Sequence, residues 1–98
     1  MKLSKRLETV ASMVTKGNRA ADVGCDHGFV PIFLVESGIS PLAVAADVRP
    51  GPLSRAKEHI KEYRLEEKIQ TRLSDGLANI KPGEADSLIM SGIGGILM

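Results

Sequence analysis

The stretch "ADVGCDHGFVP", residues 21–31, decides how this chain is read. Small and apolar residues run into Gly24, a second glycine follows at 28, and Pro31 comes soon after. That is the outline of a short buried strand ending in a glycine turn that opens a helix. A turn built to bind pyrophosphate follows G-x-G-x-x-G, because bare backbone N–H groups and a helix N-terminus must meet negative charge. Here the order is Asp22, Val23, Gly24, Cys25, Asp26, His27, Gly28. A carboxylate in the middle of the turn repels phosphate.

Working outward, the flanks alternate between helix and strand. Leu3, Leu7, Val10 and Val14 recur at helical spacing, which predicts an amphipathic helix over 4–16 that ends at Gly17-Asn18. After the turn, Ile32, Phe33 and Val35 continue a helix that Gly38 stops. "LAVAAD" is apolar on both faces, as a central parallel strand is. Gly51-Pro52 opens another helix, with Leu53, Ala56, Ile60 and Tyr63 on its inner face. "KIQTRLSDG" alternates Ile69, Thr71 and Leu73 as a half-covered strand, and "DSLIMSG" is a fourth strand reached by a short loop. Tyr63 and Met13 sit at helical spacing and read as core. The order implies βαβ crossovers and a parallel sheet in a single α/β domain.

Composition agrees with a globular chain of 98 residues, 43% hydrophobic and 26% charged. No apolar run is long enough to span a membrane, and the opening residues turn amphipathic where a secretory core would lie. Cys25 is the one cysteine, so there is no disulfide framework, and a reducing cytoplasm fits. No Cys/His cluster has metal-ligand spacing, so no metal is expected. Net charge is only +1, but residues 1–19 hold Lys2, Lys5, Arg6, Lys16 and Arg19 against Glu8 alone. A basic end of this kind faces a polyanion or is simply a solvated helix face.

Ligands of open α/β sheets bind beyond the carboxyl ends of the strands. Four such ends can be read here: Gly24 to Gly28, Asp47, Ser74-Asp75-Gly76, and Ser91-Gly92. Asp47 closes the second strand and is placed to accept the two hydroxyls of an adenosine ribose; the plainer reading is a turn aspartate. Asp26 suits a ligand without phosphates and with positive charge, unless it only caps the next helix. S-adenosylmethionine has that chemistry, with its carboxylate at a helix N-terminus and its ammonium against Asp26 or Asp22. Asp75 suits an adenine amine, with Gly76 near the ring, or is a plain Asp-Gly turn. His27 is a weak candidate for acid–base work. Cys25 has no identifiable base and reads as a small packing residue.

Together "LSKRLETVASMV", "ADVGCDHGFVPIFL", "AADVRPGPLSRA", "RLSDGL" and "SGIGG" resemble the class I methyltransferases, and more narrowly the bacterial tRNA adenine-22 N1-methyltransferase (TrmK) family. The likeness covers essentially the whole chain. It implies a Rossmann-like class I fold with strand order 3-2-1-4 in this portion, preceded by the amphipathic helix. It implies methyl transfer from S-adenosylmethionine to N1 of an adenine in tRNA, with the target base near Ser91-Gly92. The family's last motif usually reads Gly-Met-Gly-Gly, whereas here Ile93 stands in second place. Cofactor contacts are thus expected from Asp22, Gly24, Asp26, His27, Gly28, Asp47, Asp75, Gly76, Ser91 and Gly92, and tRNA contacts from Lys5 and Arg6. Family members continue beyond this length, so residues 1–98 are expected to be the N-terminal portion of a longer domain, inactive alone. The strand at 86–91 is then expected to have an unpaired outer edge and to self-associate through 86–98, or else to leave a mobile tail there. The rival readings are a nicotinamide-dependent oxidoreductase, which predicts glycine at 26, and a non-catalytic cofactor- or RNA-binding module.

Overall fold

The computed structural model describes residues 2–93, 95 and 96. The first helix, α1 (Lys5–Ser12), starts where Ser4 Oγ accepts a hydrogen bond from the Leu7 amide at 3.3 Å, an N-cap. It is shorter than the 4–16 expected from periodicity. The amides of Met13 and Val14 tighten onto the carbonyls of Val10 and Ala11, and Gly17 then turns at φ +95°. Val10, Ala11 and Val14 are buried as expected. Met13 is not: it caps the helix on its outer side and is 53% exposed.

The sheet follows from two runs of small apolar residues. β1 (Ala20–Asp22) and β2 (Ala43–Asp47) are buried throughout, and alanine at most of their positions lets helices lie close to the backbone. β3 (Ile69–Leu73) and β4 (Ser87–Met90) flank them, and a two-residue β5 (Gly95–Ile96) completes the order β3-β2-β1-β4-β5. The first four are parallel, which is the 3-2-1-4 order expected. Ala20 pairs with Ala43 and Ser87, and Ala43 with Ile69, so Ala20, Ala43, Ala45, Ile69 and Ile89 share one face.

All three helices cover that face. α2 (Phe29–Glu36) is apolar nearly all round and buries Val30, Ile32, Leu34 and Val35. α3 (Pro50–Glu62) turns Leu53, Ala56 and Ile60 inward, where they meet Ile32, Ala43, Ala45 and Ile69. Each such large aliphatic side chain contributes about 1.5–3 kcal/mol by leaving water. Gly38, at φ +79°, follows the end of α2, and the Ile39 amide returns to the Leu34 carbonyl, as in a glycine C-terminal stop.

The opposite face carries Ala21, Val44 and Ala46, packed by Ile80, Ala85 and Leu88. Its cover is the segment 74–86, expected as a short loop but long enough to cross the sheet. Arg72 pins it, donating to both carboxylate oxygens of Glu84 at 2.6 and 2.8 Å.

Three further expectations are corrected. Tyr63 lies one step past the last turn of α3 and is 37% exposed; Leu65 packs against the core in its place. Leu73 keeps the strand alternation but extends past the helical cover and is 52% exposed. The outer edge of β4 is paired, because the chain folds back and Ile89 and Met90 face Ile96 and Gly95 in an antiparallel ladder. That pairing removes the argument for association through an open edge there. Residues 94, 97 and 98 of the expected contact lie outside the described residues.

Candidate functional site

The carboxyl ends of β1, β2, β3 and β4 form one rim, and the turn after β1 is its centre. Gly28 takes φ +80° as the N-cap of α2. A Cβ there would lie 2.9 Å from Ala56 Cβ, so glycine also lets α2 and its turn approach α3. Gly92 is close-packed too: its amide donates to the Gly24 carbonyl at 2.8 Å, and a Cβ would meet that oxygen at 2.7 Å. The turn after β1 and the end of β4 are therefore in backbone contact.

Asp26 sits at φ +55°, the left-handed region that glycine favours and aspartate tolerates better than most residues. The carboxylate thus replaces a glycine without changing the turn. It does not cap α2, whose N-cap is Gly28 with no side-chain hydrogen bond. It is half exposed and faces Arg49 Nη2 at 3.7 Å and His27 Nε2 at 3.9 Å. Its backbone amide donates to Asp47 Oδ2 at 3.1 Å, which ties the turn to the end of β2.

Asp47 is 2% exposed, yet its carboxylate faces the rim. Burial pushes it toward the neutral acid. Hydrogen bonds from the Arg49 side chain, the Arg49 amide and the Asp26 amide outweigh that and hold its pKa below the usual range. It is therefore a charged acceptor at neutral pH. Arg49, which sequence reasoning passed over, grips it with Nε at 3.1 Å and Nη2 at 3.2 Å.

Asp22 behaves differently. Its side chain is buried between β1 and β4 and accepts from the Ser91 amide at 3.0 Å, the Gly24 amide at 3.4 Å and the Ser91 hydroxyl. Burial pushes its pKa up to about 6 against those donors. Asp22 is a clamp between β1 and the residues that follow β4. The Ser91 hydroxyl is spent on the same clamp, and the Ser91 carbonyl accepts from Arg6 Nη1 at 3.2 Å. What this part of the rim exposes is Gly92.

His27 belongs to an aromatic group, edge-on to Phe29 at 6.0 Å and to His59 at 6.2 Å. Phe29 stacks on His59 at 4.8 Å, and His59 Nδ1 donates to the His27 carbonyl at 2.8 Å. Arg6, Asp26, His27, Phe29 and Ser91 line a hollow of about 20 Å³ beside the turn. Phe29 and His59 escaped the sequence reading because only the turn brings them to His27. Cys25 is buried in the core, where burial pushes its thiol up, so it is no nucleophile. Asp75 is exposed at the end of β3, and Gly76 follows at φ +59°. Beneath them Ser74 Oγ holds the turn, donating to the Gly76 carbonyl and accepting from the Asn79 amide. No group of acids, histidines or cysteines fit for a metal occurs among the described residues.

A 3-2-1-4 parallel sheet with a glycine turn after β1 and a buried acid ending β2 defines a Rossmann-like domain. Residues 3–98 match the methyltransferase domain family model, and the chain belongs to that family. It is 40% identical over 98 residues to the tRNA (adenine(22)-N(1))-methyltransferase of Bacillus subtilis (strain 168), spanning 100% of this chain and 41% of that one. The crystal structure of the B. subtilis M1A22 tRNA methyltransferase TrmK superposes with TM-score 0.85 at 40% identity, covering 89% of this chain and 37% of that one. M. capricolum TrmK, solved with the cofactor product S-adenosyl-homocysteine, gives 0.79 at 36%, covering 86% and 37%. The chain thus spans about two fifths of the length of these relatives.

Proposed function

We propose that this chain supplies the cofactor-binding part of an S-adenosylmethionine-dependent methyltransferase acting on N1 of an adenine in tRNA. The observation that carries the reading is the pair Asp26 and Asp47. One is a carboxylate at a glycine's place in the turn, and the other a buried, ionised acceptor that the turn's own amide orients. Together they suit a ribose diol and a cationic amino acid moiety, and they disfavour pyrophosphate. The likeness to relatives described as tRNA adenine N1-methyltransferases supports the choice of acceptor.

When bound, S-adenosylmethionine supplies an electrophilic methyl group on a sulfonium. The chain's residues then have positioning roles. Asp47 holds the ribose, Asp26 pairs with the ammonium, and Gly24 and Gly28 let the turn approach. Asp75 and Gly76 border the adenine, and Gly92 borders the space for the target base. Adenine N1 carries its own lone pair, so in-line alignment does most of the work and no strong base is required. N1 lies on the Watson–Crick edge, so the target base must be unpaired or extruded. The setting is the cytoplasm, where tRNA is modified; among the described residues no helix is long and apolar enough to cross a membrane.

Calorimetric titration tests the cofactor reading. The parent is expected to bind S-adenosylhomocysteine and not NAD. Asp47→Ala is expected to weaken that binding by about 1–3 kcal/mol, the scale of hydrogen bonds to a charged group. Equal heats for mutant and parent remove the ribose assignment.

The basic first segment is proposed to contact tRNA phosphates, and its charges are not equivalent. Arg19 is bound to Asp86, with Nη2 to Oδ1 at 3.1 Å, and Arg6 is anchored on the Ser91 carbonyl. Lys5 lies on the exposed side of α1 and is the cleaner probe. Lys5→Glu is expected to weaken tRNA binding and to lower the slope of log affinity against log salt by about 1, leaving cofactor affinity alone. An unchanged slope removes Lys5 from the interface.

A further inference from the structure

We infer that Arg49 is a built-in occupant of the ribose acceptor, a side chain that adenosyl ligands must displace and that thereby sets their affinity. This rests on the cofactor reading above. The Asp47 carboxylate receives four donors: the Arg49 amide at 2.9 Å and Nε at 3.1 Å on Oδ1, and the Asp26 amide at 3.1 Å and Arg49 Nη2 at 3.2 Å on Oδ2. An ionised carboxylate offers about four acceptor positions, so none is left for a ligand. Two of the donors are backbone amides and belong to the turns themselves. The other two are adjacent N–H groups of one guanidinium, and two adjacent donors are what a vicinal diol brings. The exchange therefore replaces one bidentate donor by another and leaves the backbone pair in place.

Exposure shows which partner can move. The Asp47 side chain is 2% exposed and the Arg49 side chain 59%, so the arginine leaves without uncovering core. Its charge also lies 3.7 Å from Asp26 Oδ1, so one side chain covers both acids offered to the ligand. Arg49 is the N-cap residue of α3, but its side chain makes no capping bond. Its amide stays on Asp47 whatever the side chain does, so shortening or neutralising the side chain leaves the turn its backbone contacts.

The test uses the 98-residue chain, isothermal titration at fixed ionic strength, and two probes: S-adenosylhomocysteine and its 2′-deoxyadenosyl analogue. Arg49→Met, which keeps length and loses all donors, is expected to bind S-adenosylhomocysteine about five- to tenfold more tightly than the parent. That range is a charge-assisted pair discounted for the arginine's exposure. Arg49→Gln is the second variant should methionine disturb folding, which circular dichroism reports. The gain is expected to shrink for the 2′-deoxy analogue, which presents one hydroxyl fewer to Asp47. Equal or weaker binding by folded variants overturns the inference and leaves the cofactor reading standing, as does an identical gain for both probes. Failure of parent and variants alike to bind S-adenosylhomocysteine overturns the cofactor reading and this inference with it.

Discussion

Gly28→Ala is expected to destabilise the chain by about 2–5 kcal/mol in urea unfolding followed by circular dichroism. Two effects add. The residue sits at φ +80°, where an L side chain costs roughly 1–2 kcal/mol. Its new Cβ would also lie 2.9 Å from Ala56 Cβ and 3.3 Å from Ala56 Cα. Those atoms belong to the buried stripe of α3, flanked by Leu53 and Ile60, so they cannot step aside cheaply. Crowding of a packed core costs roughly 1–3 kcal/mol. Gly38→Ala is the control: the same sign of φ, +79°, but nothing within 4 Å of the added carbon. It is expected to lose only the conformational part, about 1 kcal/mol. If the two variants unfold at the same urea concentration, close packing of the turn on α3 is not what Gly28 provides.

Where the sequence spoke clearly, it did so through periodicity and punctuation. Ala43 to Asp47 could only be a strand covered on both faces, and Gly38 could only end a helix. Position in the chain order then placed Asp26 and Asp47 on one rim, since each follows a strand of a parallel sheet. Helical phase marks a face but not where its cover stops, so Met13 and Tyr63 share the phase of the core yet lie at the surface. Contacts that depend on register between distant strands were out of reach. The Asp22–Ser91 clamp joins residues 69 apart and exists only because Asp22 pairs opposite Ile89, two before Ser91. β5 is the same case, because two residues carry no strand pattern of their own. Arg49 was hidden differently: "DVRPGP" shows a turn, but only the turn's geometry folds the side chain of Arg49 back over Asp47.

The Asp22 clamp carries the second large effect, and its sign is opposite to that of Asp47, Glu84 and Asp86. Burial raises the Asp22 pKa from 3.8 to about 6. Between those values the folded state holds a proton that the unfolded state has released. Stability from this group is therefore present below about pH 4 and lost as pH rises through about 6, by roughly 3 kcal/mol in total. Glu84, held at about 2 chiefly by the Arg72 side chain, works the other way: its stabilisation is present above the usual glutamate range and lost in strong acid. Parent stability against pH sums these with the likewise lowered Asp47 and Asp86, so a difference is needed to isolate Asp22. Asp22→Asn supplies it, because the amide stays neutral at every pH. Its oxygen in the place of Oδ1 still accepts from the Ser91 and Gly24 amides, and its NH₂ in the place of Oδ2 donates to a turned Ser91 hydroxyl. The variant is expected to match the parent to within about 1 kcal/mol near pH 4.5 and to exceed it by about 2–3 kcal/mol at pH 7, in urea midpoints taken at each pH. A parent–variant difference that stays constant from pH 4.5 to 7 would show that Asp22 ionises in the fold as freely as in water, and the buried clamp would lose its electrostatic cost.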